Sequence, residues 1–271
     1  MLDKRLVKMH FSVSAKNYDL YAHVQKKMAS RLIEHADPGQ EHSIDAILDI
    51  GSGTGYLTDL LIRRFPGARV TAVDIAPGMI ELAESKLGRH NVKFLCADVE
   101  EMNFEENFDF IASNASFQWL NDTPLTLEKL YSALTDNGVL CFSTFGSLTF
   151  SELHQSYRKA MRNLGLEKSA PPGQSFYTLE ELRGICAQIV GPGGGVRCEE
   201  SLEYMYFDSV RDFFMSVRKI GANNSNKGYT HKNPSLVKEL TRVYETDFSE
   251  NNRIKVTYHC LYFVLGKSTR G

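Results

Sequence analysis

Three glycines at alternate positions, Gly51, Gly53 and Gly55, follow the apolar run Ala46–Ile50 and open a helical pattern. Such a loop turns tightly and lets backbone approach a ligand without Cβ clashes. Several ligands suit a glycine loop, and the neighbouring residues sort among them. A phosphate-cradling loop needs Gly-Lys-Ser/Thr, and no lysine follows here. A dinucleotide loop needs G-x-G-x-x-G, whereas counting on from Gly51 or Gly53 puts Tyr56 or Thr58 in the last place. Asp74 closes the run Val70–Val73, about 20 residues past the glycines, where an acid accepts both hydroxyls of an adenosine ribose. Asp98, in Ala97-Asp98-Val99, is placed to take an adenine amino group between apolar neighbours. Taken singly, Asp74 and Asp98 suit equally well the capping of the helices that follow. Three successive strand ends with this chemistry favour a nucleoside site, because open α/β sheets bind ligands at the carboxyl ends of their strands.

The elements that must hold these residues are short. Ala46–Ile50, Ala68–Val73, Val92–Cys96, Phe108–Ala112 and Val139–Phe145 read as buried strands. Helical patterns lie between them at Thr58–Phe65, Pro77–Leu87 and Pro124–Leu134, the last with Thr123 as its N-cap and Gly138 just past its end. Strand–helix alternation implies right-handed crossovers and a parallel sheet, hence a doubly wound α/β fold. Before the sheet, Ala15–Ala36 is one amphipathic segment in which Tyr18, Gln25 and Leu32 recur on one face, with Tyr21 and Met28 beside them. After the fifth strand the pattern becomes helical at Phe150–Leu164, breaks at Pro171–Gly173, turns at Gly191–Gly195 and predicts a strand at Val196–Met205. A helix over Asp208–Ile220 ends at Gly221, Ala222–Pro234 reads as a polar loop, and Ile254–Leu265 fits a strand at the sheet edge.

The 271 residues suit a single domain, with 11–145 as N-terminal helix and cofactor half, 146–250 as helical cap and insertions, and 251–271 as final strand and tail. A net charge of -2 argues against a partner held by bulk phosphate neutralisation, so no nucleic acid is expected. Five cysteines without a C-x-x-C pair read as free thiols, and no metal is expected. Lys4, Arg5 and Lys8 are followed by no apolar stretch, and no run nears the ~18 residues of a membrane span, so a cytoplasmic location is expected.

At this point the sequence resembles the class I S-adenosylmethionine methyltransferases, whose acid, Gly-x-Gly-x-Gly, second acid and Ala-Asp step match Asp49, Gly51/Gly53/Gly55, Asp74 and Asp98. The resemblance implies a Rossmann-like sheet of seven strands with the last antiparallel, and a glycine loop holding the methionine part of the cofactor with Asp49 near its ammonium. The implied cofactor wall is Asp49, Gly51, Ser52, Gly53, Thr54, Gly55, Asp74, Ile75, Met79, Ala97, Asp98, Val99, Asn114 and Phe117. The fourth strand ends in Ser113-Asn114-Ala115-Ser116-Phe117-Gln118-Trp119, without the Asn/Asp-Pro-Pro-Tyr step of amino-methylating nucleic-acid enzymes. Segments outside the cofactor half are similar to the malonyl-acyl-carrier-protein O-methyltransferases that open the biotin pathway. They are Phe11-Ser12-x-x-Ala15-x-x-Tyr18-Asp19 with Gln25, Ser113-Asn114 with Gln118-Trp119, and Gly146-Ser147-Leu148 with Glu152-Leu153-His154-Gln155. Ile220-Gly221-Ala222-Asn223 and Thr257-Tyr258-His259 complete the set, which spans residues 11 to 265.

That resemblance implies methyl transfer from S-adenosyl-L-methionine, leaving S-adenosyl-L-homocysteine, to the free carboxylate of a malonyl thioester on an acidic carrier protein or coenzyme A. A carboxylate of pKa ~4 is already ionised at neutral pH, so no general base is expected. The site then needs orienting donors and apolar walls. Tyr18, Gln118, His154 and His259 are the candidate orienting residues; Tyr18, Gln25, Phe117, Gln118, Trp119 and Tyr258 are the candidate pocket. Tyr258 and His259, adjacent on a strand, face opposite sides, so at most one enters the pocket, and His259 is preferred. An acidic carrier would meet basic stripes: His154, Arg158 and Arg162 stand four apart on one helix, and Arg211, Arg218 and Lys219 lie on another. Tyr18 and Trp119 as packing aromatics, the histidines as structural, and the stripes as solvated faces are the plainer alternatives. The rival functions are a methyltransferase of another small acid or quinone-like ring and a nucleoside-binding regulator without turnover.

Overall fold

The computed structural model describes residues 2–36, 43–104, 107–166, 172–192, 194–222 and 233–268. Two helices, α1 (Lys4–Tyr21) and α2 (His23–His35), precede the alternating units β1 (Ala46–Ile50), α3 (Tyr56–Arg64), β2 (Arg69–Asp74), α4 (Pro77–Leu87) and β3 (Val92–Cys96). Then come β4 (Phe108–Asn114), a 3-10 turn (Phe117–Trp119), α5 (Thr123–Ser132), β5 (Leu134–Phe145), α6 (Ser151–Asn163) and α7 (Leu179–Val190). The chain closes with β6 (Gly195–Phe207), α8 (Val210–Lys219), α9 (Pro234–Asp247), β7 (Ser249–Glu250) and β8 (Arg253–Gly266).

One sheet runs in the order β3-β2-β1-β4-β5-β8-β6, with the two-residue β7 beside β8. β1 to β5 pair in parallel, and β8 is antiparallel to both β5 and β6. The doubly wound architecture with a reversed final strand is therefore as expected. Between β1 and β4 the strand order reverses, which opens a crevice at their carboxyl ends. Alternate residues serve two cores. Ile47, Phe110 and Cys141 face helices α2, α3, α6 and α9, whereas Leu48, Ile111 and Leu140 face α5 and α7. A third, small cluster joins Ala15 of α1 to Ala76 and Met79 at the start of α4.

Several expectations need correction. The N-terminal segment starts at Lys4, not Ala15, and breaks at Ala22 into two helices. Asp122 caps α5 by accepting from Leu125 N, so Thr123 is the first helical residue. Gly138 lies inside β5, not at a helix end: with Asn137 at φ 64° it forms an irregular step between the Phe108–Leu134 and Phe110–Val139 pairs. β8 is no edge; residues 256–265 are buried, and the edge is β6. Helices α7 and α9 have no counterpart in the sequence reading. The Pro171 break, Asn223 and most of the 222–234 loop fall outside the described residues. Among those described, no helix is long and apolar enough to cross a membrane.

Candidate active site

Gly51 N and Ser52 N both donate to Val73 O, at 2.8 and 3.0 Å, drawing the loop after β1 toward the end of β2. Gly51 sits at φ +66°, and a Cβ there would lie 2.2 Å from Ser116 Oγ. Gly53, at φ +55°, donates its N–H to Asp74 Oδ2 at 2.9 Å, while Ala76 N donates to Oδ1 at 2.8 Å. Each Asp74 oxygen thus holds one backbone donor and keeps acceptor capacity for another, as a vicinal diol requires. Burial pushes the Asp74 carboxyl up to about 6, against the pull of those two N–H groups.

A cleft of about 680 Å³ opens on Asp74, within the size range of nucleoside sites. Gly51, Gly53, Asp74, Ile75, Met79, Ala97, Asp98, Val99 and Asn114 line it. Five residues assigned to its wall do not line it. Asp49 is fully buried between β1 and α3, where Thr58 Oγ1 donates to Oδ2 at 2.6 Å and Oδ1 has no partner. Burial, opposed by the Thr58 bond and reinforced by Asp74, pushes its carboxyl up to about 7. Ser52 Oγ is likewise buried and unpartnered. Thr54 donates to Asp19 at 2.8 Å, and Gly55, at φ +87°, packs against Leu87 of α4. Phe117 is stacked on Phe142 at 4.5 Å in the core and faces away from the cleft.

Helix α1 supplies a further wall. Lys4, Val7, Phe11 and Tyr18, at helical spacing on α1, all line the cleft. Lys4 Nζ donates to Asp98 Oδ1 at 3.2 Å and pairs with Glu100, so it is a cleft residue and not part of a free basic cluster. α1 lies tight on α4: Ser12 O would be 2.6 Å from a Cβ at Gly78. The signal was available in the 4, 7, 11, 18 spacing, which extends the amphipathic face back to the N-terminus.

A second pocket, of about 760 Å³, shares Phe11, Tyr18, Ala115 and Trp119 with the cleft. Tyr18, Gln25, Gln118, Trp119, His154 and Tyr258 line it, together with the unanticipated Phe145, Phe150, Phe176, Val217 and Ile220. Trp119 stands edge-on to Phe11 at 5.2 Å between the two spaces. Gln118 is already committed, with Nε2 donating to Ala115 O at 2.6 Å and Oε1 accepting from Thr144 at 3.0 Å. His154 Nε2 lies 3.2 Å from Pro172 O, so it must carry the proton and donate, leaving Nδ1 an acceptor. Burial, with Arg158 adding, lowers its basicity and keeps it neutral. By contrast, Tyr18, Gln25 and Tyr258 line the pocket, and the two hydroxyls and the buried carboxamide form no hydrogen bond among the described residues. Burial, aided for Tyr18 by Asp74 and Asp19, raises both phenols and keeps them protonated donors.

The choice between Tyr258 and His259 is reversed: Tyr258 enters the pocket, and His259 faces the other side of β8. His259 Nδ1 accepts from Leu148 N at 3.3 Å and Nε2 meets Glu200 Oε2 at 2.8 Å. Its backbone binds Gly146 and Thr149. It shapes the turn that delivers Phe150, at φ 60°, to the pocket. On the outer surface Arg158, Arg162, Arg211, Arg218 and Lys219 are exposed and form no ion pair among the described residues. His154 departs from this stripe by turning inward.

Residues 47–138 match a family described as a methyltransferase domain. Over nearly its whole length the chain is similar to two proteins named malonyl-[acyl-carrier protein] O-methyltransferase. One, from Acetivibrio thermocellus, is 49% identical over 98% of this chain and 95% of its own. The other, from Priestia megaterium, is 46% identical over 100% of both. Among solved structures, the YcgJ protein of Bacillus subtilis superposes with a TM-score of 0.62 over 90% of this chain and 99% of that one, at 14% identity. The plantazolicin methyltransferase BpumL, solved with a triazolic desmethylPZN analogue and SAH, superposes at 0.52 over 98% of both chains, at 15% identity. These two likenesses bear on the fold alone.

Proposed function

The chain belongs to the malonyl-[acyl-carrier protein] O-methyltransferase family, and we propose that it methylates the free carboxylate of a malonyl thioester, with the thioester borne by an acyl carrier protein. It is an S-adenosyl-L-methionine-dependent enzyme. The residues around the cleft fit that cofactor: Asp74 keeps acceptors for the ribose hydroxyls, and Gly51 and Gly53 line the cleft at positive φ with no side chain to fill it. When bound, the cofactor supplies an electrophilic methyl group on a sulfonium centre.

The acceptor carboxylate is ionised at neutral pH, so the protein need only orient it and keep water away. Tyr18, Gln25 and Tyr258 are the donors free to do so, because Gln118 and His154 are tied to the protein itself. Phe11, Trp119, Phe145, Phe150 and Phe176 make the walls. Attraction between a cationic donor and an anionic acceptor is stronger in such an apolar enclosure than in water, and charge is lost as the bond forms. The observation that carries this function is the shared wall of Phe11, Tyr18, Ala115 and Trp119, across which cleft and pocket meet. Mass spectrometry of malonyl carrier protein after incubation with enzyme and cofactor tests it. One added methyl group, removed by mild alkali, is expected; an alkali-stable methyl would mean carbon or nitrogen methylation.

A further inference from the structure

The acceptor pocket does not end at Phe176. Gln118, Phe145, His154, Gly173, Gln174 and Phe176 also line a larger cavity, of about 1820 Å³ including its open mouth. Its walls are the end of β5 with Ser147, the 3-10 turn, the irregular segment 172–177 and the start of α7. Three contacts tie that segment to the pocket walls. Gln174 Nε2 donates to Gln118 O at 2.7 Å, His154 Nε2 donates to Pro172 O, and Phe176 stands edge-on to Phe145. The wall is thus built from residues that also shape the acceptor pocket.

The chemistry of the lining is distinctive. Polar groups recur along it, from Asn121, Ser147, Gln174, Ser175 and Tyr177. Among the described residues it carries no lysine or arginine, and its one carboxylate, Glu181, is spent on capping α7 through Thr178. A passage without cations, whose one carboxylate is held in a helix cap, disfavours an anionic ligand and suits a flexible uncharged chain bearing amides. Arg158, exposed one turn along α6 from His154 and near enough to lower its basicity, supplies positive charge outside the passage.

We propose that this cavity is the channel for the amide-bearing pantetheine arm of the thioester substrate, which enters past Ser147 and Ser175 and reaches the acceptor pocket between His154 and Gln118. The proposal rests on the malonyl thioester reading. The arm's phosphate stays at the surface, where cationic side chains meet it, and the malonyl end alone crosses into the apolar pocket.

Ser147 and Ser175 are exposed at the mouth, so Ser147→Phe and Ser175→Phe fill the passage without touching the core. Binding of malonyl-pantetheine to protein loaded with S-adenosyl-L-homocysteine is followed by calorimetry, and turnover is compared with malonyl S-ethyl thioester, which lacks the arm. Expected are at least tenfold weaker binding of malonyl-pantetheine in the variants and a similar fall in the kcat/KM ratio of the long over the short substrate. An unchanged ratio in both variants overturns the channel. Wild-type protein that binds malonyl-pantetheine but forms no alkali-labile ester removes the reaction and leaves the channel standing.

Discussion

Asp74 answers two demands that pull its ionisation in opposite directions. Burial raises it from the ordinary carboxylate range to about 6, so the folded chain binds a proton more readily than the unfolded one. Stability of the ligand-free protein should therefore fall as pH rises from about 4 to about 6. A ribose diol donates to the ionised carboxylate, so cofactor binding should strengthen over the same rise. Asp49, raised to about 7 by burial, extends the fall in stability upward in pH. Calorimetry with S-adenosyl-L-homocysteine should show several-fold tighter binding at pH 8 than at pH 5.5. Asp74→Asn should flatten most of that dependence and cost roughly 1–3 kcal/mol of affinity; a pH-independent wild type would mean that Asp74 does not serve the ligand. The neighbours Tyr258 and His259 divide differently. Tyr258→Phe should raise KM with the melting temperature nearly unchanged, since its hydroxyl has no hydrogen-bond partner among the described residues. His259→Ala removes the Leu148 and Glu200 bonds and should cost about 1–3 kcal/mol of stability, read in denaturant melts.

At the scale of elements, α1 is a wall of the cleft at Asp74 as much as a support of the fold. Its contact with α4 passes through Gly78, where a Cβ would lie 2.6 Å from Ser12 O. In an exposed helix, Gly→Ala would gain about 1 kcal/mol from propensity. Here the backbone oxygen cannot move without shifting α1, and overpacking of this kind costs about 1–3 kcal/mol. Gly78→Ala should therefore lower both the melting temperature and cofactor affinity, and a stabilised variant would show that α1 yields freely. The legible elements were those whose signal is local. β1, α4 and β3 match their sequence limits because apolar runs bounded by Gly, Pro or Asp leave little choice of register. β8 reads as an edge strand because Thr257, Tyr258, His259 and Tyr262 look like an exposed polar face, although all four are buried. α7 and α9 are short amphipathic helices whose apolar faces make sense only against β6 and α6. Phe117 and Trp119 share one turn, and only the stacking of Phe142 decides which ring turns to the core and which to the site.

At the scale of the whole molecule, a net charge of -2 conceals an uneven surface. Arg158 and Arg162 on α6 are exposed and have no acidic partner among the described residues, and Arg211, Arg218 and Lys219 on α8 flank the exposed Phe214 and Met215. Both helices border the acceptor pocket, through His154 of α6 and Val217 of α8. An acidic carrier approaching the pocket would meet these cations first, and their effect would be long-range attraction screened over ~10 Å at 0.1 M salt. Reversing Arg158 and Arg162 to Glu should raise KM for carrier-bound malonate about tenfold at low salt and flatten its salt dependence. kcat at saturation should change little, because neither guanidinium lines the cleft or the pocket. Malonyl-pantetheine thioester, which lacks both the phosphate and the carrier, should be turned over as by the wild type. Equal loss on both substrates would make the arginines structural. No loss on either would move the carrier to the α8 surface, where the corresponding reversal of Arg211 and Arg218 is decisive.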